Sequence, residues 1–147
     1  MDMNMKIDPY NHEQRYKKWR ARVRDAIPGI SKTNSDLILR YLSDMQYGLN
    51  VSSAHVKGGR SFIRLVTLRE RMMFFARHFQ NVYGLNDMTK ITEEQAIIFF
   101  SKIRNGDITR KDGKRYLSTD SLVKTFKAFW HWYQTINRKR GTPIPDI

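Results

Sequence analysis

Residues 117–140 constrain the fold more tightly than any other stretch of the chain. From Leu122 onward the apolar residues recur at helical spacing, as Leu122, Phe126, Phe129, Trp130, Tyr133 and Ile136. At about 100° per residue these share one sector of a helix, while Lys124, Lys127, His131, Gln134 and Arg138 share another. Ser118 or Thr119 can start this helix, because a hydroxyl there accepts an otherwise orphan backbone N–H. The aromatic sector needs a core built by other elements. The opposite stripe contains no acidic residue and runs into Arg138-Lys139-Arg140. Wet helix faces usually mix charge signs, so a one-sign stripe points to an anionic partner. The plainer reading is a core helix with a solvated basic edge.

Four further segments repeat the helical pattern. In residues 10–27, Tyr16, Trp19, Val23 and Ile27 form a stripe interleaved with Arg15, Lys17, Lys18, Arg20, Arg22 and Arg24. This basic amphipathic helix fits a packed first helix, a nucleic-acid-binding arm or, with its narrow apolar face, least well a membrane-surface helix. Pro28-Gly29 ends it. Asn34 or Ser35 is expected to cap a helix over residues 36–47, with Ile38, Tyr41, Leu42 and Met45 inward and Gly48 as its stop. Residues 49–59 read as a loop whose Gly58-Gly59 forms a flexible joint; it lacks the spacing of a phosphate-binding P-loop.

Residues 61–83 form the second long helix. Leu65, Leu68, Met72, Phe75, Phe79 and Tyr83 lie on one side, Arg64, Arg71 and His78 seven apart on another, and Gly84 ends it. Thr92-Glu93-Glu94-Gln95 is a capping box opening a helix that continues through Ile97, Phe100 and Ile103 to Asn105-Gly106. A basic turn follows, Arg110-Lys111-Asp112-Gly113-Lys114-Arg115, which permits a short β-hairpin near residues 108–117. The expected fold is therefore an all-α bundle of four to five helices. Residues 1–30 read as a basic N-terminal arm or helix, 31–140 as the helical domain, and the proline-punctuated 141–147 as a linker.

Charge and composition narrow the function. Twenty-seven Lys and Arg against 14 Asp and Glu give a formal charge of +13 over 147 residues. Such a potential attracts phosphate backbones, anionic lipid heads or acidic protein surfaces, and among these nucleic acid is the commonest partner. The chain has no cysteine, which removes disulfides and thiolate metal sites. No apolar run is long enough for a bilayer, and the N-terminus leads into no signal-peptide core, so the expected location is cytoplasmic, with the genome. His12, His55, His78 and His131 show no metal-ligand spacing. Adjacent Glu93 and Glu94 point apart and suit a helix start, and His131 and Tyr133 lie about 200° apart on their helix. No catalytic residue, metal, cofactor or small-molecule substrate is expected.

One larger pattern is familiar. A helix ending in a loop leads into Gly59-Arg60-Ser61-Phe62-Ile63-Arg64-Leu65-Val66-Thr67-Leu68-Arg69, then Phe74-Phe75-Ala76-Arg77-His78-Phe79. Met88-Thr89-Lys90-Ile91-Thr92-Glu93-Glu94-Gln95-Ala96 follows, and then Leu117-Ser118-Thr119 leading to Phe126-Lys127-Ala128-Phe129-Trp130-His131-Trp132-Tyr133. Over residues 34–147 this resembles the N-terminal core-binding, SAM-like domain of tyrosine recombinases, or phage integrases, of archaeal or viral type. It departs from them in its basic segment before Asn34 and its long 110–115 turn. The resemblance implies double-stranded DNA as partner, together with other recombinase protomers on that DNA, and a separate catalytic domain beyond residue 147. It implies that Lys57, Arg60 and Arg64 lie near DNA at one helix start, and Lys124, Lys127 and Arg138 along the last helix. Charge patterning adds Arg71, the turn residues Arg110, Lys111, Lys114 and Arg115, and the terminal pair Lys139 and Arg140. Two other classes fit the charge as well: a stand-alone RNA-binding or DNA-compacting protein, and a helical adaptor for an acidic protein.

Overall fold

The computed structural model describes residues 11–51, 58–116 and 118–147. Its elements are α1 (His12–Val23), α2 (Lys32–Tyr47), α3 (Phe62–Tyr83), a 3-10 turn (Met88–Lys90), α4 (Glu93–Arg104) and α5 (Thr119–Lys139). The protein is an all-α bundle, and the described residues contain no strand. The basic turn closes as expected, with Gly113 N–H donating to Arg110 O at 2.9 Å and Arg110 N–H to Lys114 O at 2.8 Å. No ladder extends beyond it, so the hairpin near 108–117 reduces to a turn among the described residues.

Helix α3 is the centre of the bundle, touching α1, α2, α5 and the 3-10 turn, while α4 packs on α5. Leu65, Met72, Phe75, Ala76 and Phe79 are all fully buried on it. Phe75 sits among Phe79, Phe99, Phe100 and Phe126 with ring centroids 5.6–6.2 Å apart, three of the four pairs edge-on. Edge-to-face contact puts a positive ring edge on a negative ring face, which adds to the burial itself.

Side-chain caps start four of the helices. Ser61, Thr92 and Ser118 open α3, α4 and α5, and the box at Thr92 is closed in both directions, Gln95 N–H to Thr92 Oγ1 at 3.1 Å and Thr92 N–H to Gln95 Oε1 at 3.0 Å. Helix α2 begins earlier than expected, with Ser31 as its cap. Asn34 and Ser35 are instead buried in its first turn and tie down loops. Asn34 Oδ1 accepts from Met88 N–H at 2.7 Å, and Ser35 Oγ accepts from Ile27 N–H at 3.0 Å.

Helix α1 packs into the bundle, which fits the first of the three readings open to it: Tyr16, Trp19 and Val23, with Ile27 beyond its end, join the common core, and Arg69 lies over the Trp19 ring at 5.0 Å. The 141–147 segment lies back along α5. Trp130 Nε1 donates to Pro145 O at 2.9 Å, Gln134 Nε2 to Ile144 O at 3.3 Å, and Ile144 and Ile147 pack on the core. Gly59 is no flexible joint. A Cβ there would stand 1.8 Å from Gln46 O, so only glycine lets the α2 end and the α3 start touch.

Two buried groups in the middle of the bundle lock α2 to α5. Trp132 is 1% exposed and its Nε1 donates to Asp44 Oδ2 at 2.7 Å, while Asn50 Nδ2 donates to the same oxygen at 2.9 Å. Trp132→Ala is therefore expected to cost about 3–5 kcal/mol. Trp132→Phe, which keeps a ring but leaves a buried carboxylate short of a donor, should cost about 1–3 kcal/mol; urea titration measures both. Burial also pushes the phenols of Tyr16 and Tyr41 up to about 12, against the smaller opposing pull of nearby arginines. A raised phenol pKa means that the unfolded chain ionises first, so this part of the stability is complete below about pH 10 and is lost towards pH 12. Burial raises the phenols of Tyr83 and Tyr116 as well, so tyrosinate absorbance should show a late-titrating group in which Tyr16 and Tyr41 come last, with the urea midpoint falling over the same range.

Candidate nucleic-acid interface

The aromatic core decides where the cations of α3 can go. With Leu65, Met72, Phe75 and Phe79 inward, the flank carrying Phe62 and Arg69 meets α1. Residues 64 and 71 fall about 140–180° around the helix from that flank and border α5. Seven residues separate Arg64 from Arg71, so they stand in one row about 10 Å apart along the axis.

At the lower end of this row Arg60, Arg64 and His131 line a crevice of about 180 Å³ with Asn50 and Tyr41. Arg60 is held by its own backbone, whose N–H donates to Met45 O at 2.8 Å beside the Gly59 contact. Ser61 Oγ accepts the Arg64 N–H at 3.2 Å. Further along, Arg71 crosses to α5 and donates to Thr125 Oγ1 at 2.7 Å and Ser121 O at 3.4 Å. Burial first, and then the charge of Arg64, lower the Arg71 pKa, though a guanidinium stays ionised. Lys124 is exposed on the edge of α5 that also carries Ser121, Ala128 and His131. Among the described residues no carboxylate pairs with Arg60, Arg64, Arg71 or Lys124. The row is a like-charged edge with no neutralising partner among the described residues.

The remaining sequence candidates divide. Lys127 turns towards α4 and borders a different depression, with Arg104 and Ile147. Arg110 pairs with Asp112 at 3.2 Å, Lys114 N–H donates to Asp112 Oδ1 at 3.0 Å, and Arg115 donates to Arg104 O at 2.5 Å, closing the end of α4. Lys111, at the tip of the turn, lines a third depression together with Arg71. Lys139 reaches Asn50 Oδ1 at 2.5 Å, while Arg138 and Arg140 are exposed at the end of α5. Lys57 lies outside the described residues. Arg60 with Arg64, and Arg71 with Lys111, thus share two separate depressions along this edge, Lys124 is exposed on its α5 side, and Lys127 and Arg115 do not join them.

Sequence reasoning missed Asn50 and Arg77 as members of these depressions. It saw His131 and His78 only as parts of stripes. The spacing of Arg64, Arg71 and His78 is a usable signal, but pairing across α3 and α5 spans more than fifty positions and leaves no local trace. Among the described residues no group of three His, Asp or Glu side chains gathers to hold a metal, and no helix is long and apolar enough to cross a membrane. No family model, curated protein or solved structure matches the chain.

Substitution separates the bound from the free cations. Arg71→Met should cost about 1 kcal/mol, because it removes the bond to Thr125. Arg64→Met should stay within about 0.5 kcal/mol of the parent. Urea midpoints of the two variants check this.

Proposed function

We propose that the chain binds double-stranded DNA and serves as the core-binding part of a site-specific tyrosine recombinase, clamping its site beside other protomers. The observation that carries the DNA reading is the row Arg60, Arg64, Arg71 and Lys124, aligned across two helices without acidic partners. A duplex offers a regular line of anions to such a row, and release of condensed counterions drives association. Contacts of this kind set position and register while few side chains read bases. The recombinase assignment rests on the resemblance over residues 34–147. In that reading the chain works with the genome, and the phosphoryl-transfer groups belong to another domain. Tyr16 and Tyr41 are buried, where a phenol cannot reach a phosphate.

Titration of a duplex at rising salt tests the reading. Four or five phosphate contacts predict a slope of about −4 in log affinity against log salt, and a loss of roughly 250-fold between 50 and 200 mM. A flat salt response sinks the proposal. Arg64→Glu with Lys124→Glu should abolish binding with an unchanged melting temperature. The chain incubated with supercoiled plasmid should give no covalent protein–DNA adduct on denaturing electrophoresis; an adduct lost on changing one tyrosine to phenylalanine overturns the division of labour.

A further inference from the structure

Beyond Arg71 the row on α3 continues into a crevice of about 680 Å³ between that helix and the 109–116 loop. Two kinds of group line it. Phe74 and Tyr116 face it as rings with centroids 5.3 Å apart and planes 34° from parallel, and His78 stands 6.3 Å from Phe74. Arg71, Arg77 and Lys111 supply the charge. The carboxylate bordering the crevice, Glu70, is bonded by Arg69 at 2.8 Å and forms an ion pair with none of the three. Burial first, and then Lys102, lower the pKa of His78, which makes its ring a neutral imidazole at pH 7. All three rings are only partly buried.

We propose that this crevice binds one unstacked nucleotide, with its base on Phe74, Tyr116 and His78 and its phosphate at Arg71, Arg77 and Lys111. A ligand must bring a flat π surface and an anion to use both kinds of group. An acidic peptide leaves the rings unmatched, and a neutral aromatic leaves the cations so. The volume lies within the range of small-ligand sites. Base stacking on aromatic side chains tolerates any sequence, since every base has a π face. The crevice adjoins the duplex-binding row, and the inference rests on that reading only for the source of the nucleotide, a base extruded from bound DNA rather than a free mononucleotide.

The test uses the full chain and 2-aminopurine, whose fluorescence is quenched by stacking. Four probes are titrated: its deoxynucleoside 5′-monophosphate, inorganic phosphate, a fully paired duplex, and the same duplex carrying one unpaired 2-aminopurine. The expected result is quenching of the mononucleotide and of the unpaired base, with the bulged duplex bound about 10-fold more tightly than the paired one. Tyr116→Leu, which keeps an apolar side chain against Phe74, should erase that preference and leave paired-duplex affinity unchanged. Should that variant not fold, Lys111→Glu is read on the mononucleotide alone, with a 10-fold loss expected. Equal affinity for both duplexes with no response to the mononucleotide overturns the inference and leaves duplex binding standing. Quenching of the mononucleotide without binding of either duplex keeps the crevice and overturns the DNA reading. Full competition by phosphate with no effect of Tyr116→Leu reduces the site to an anion cradle and also overturns the inference.

Discussion

Everything in this bundle depends on how helix α3 is rotated about its own axis. Phe75 and Phe79 are fully buried, and the rings of α4 and α5 meet them edge-on. Such packing has no slack for a turned helix. A rotation by one residue, about 100°, would drive Arg64 and Arg71 into the core and lift a phenylalanine into water. The wish of aromatic rings to leave water and the refusal of guanidinium groups to do so therefore specify one orientation between them. The row of arginines is a by-product of the core as much as a feature of the surface.

Polar groups inside the bundle fix what apolar packing leaves free. Asn34 joins α2 to the backbone of Met88, and its Nδ2 donates to Gln80 Oε1 at 3.1 Å. Asp44 receives both Trp132 and Asn50. Among the described residues no buried side-chain nitrogen or oxygen lacks a partner. Such bonds are directional where dispersion is not, so they set the slide of one helix along another. The crevice at Arg60 and Arg64 inherits its shape from them, since Asn50 and Trp132 form part of its wall.

The helices were legible because their signals are local. Ser118 caps as read, Gly48 and Gly84 end their helices with φ of 72° and 66°, and the periodic apolar residues of α3 and α5 are inside, save that Tyr83 and Tyr133 are half-buried. The misreadings share one cause, tertiary use of a residue with a local meaning. Asn34 and Ser35 look like caps, yet bond loops that a linear reading cannot bring near. Gly59 looks flexible until the Gln46 carbonyl occupies the space of its missing side chain. Trp132 falls between two stripes and is buried because α2 offers a carboxylate to its N–H. Ile97, read as part of the α4 pattern, is 60% exposed, and Phe99 takes the inward place. For the candidate site, the seven-residue spacing on α3 was visible, whereas its junction with Lys124, Asn50 and Lys111 depends on the bundle.

The seating of α1 has an electrostatic consequence. Its exposed Arg15, Lys18 and Arg22 stand on the flank of α3 opposite the Arg64–Arg71 row. Positive charge therefore stands on two opposite flanks of α3 instead of marking one pole. Like charges on opposite sides of a body add to its net charge but largely cancel in its dipole, so the long-range field attracts an anion with little preference between the two flanks.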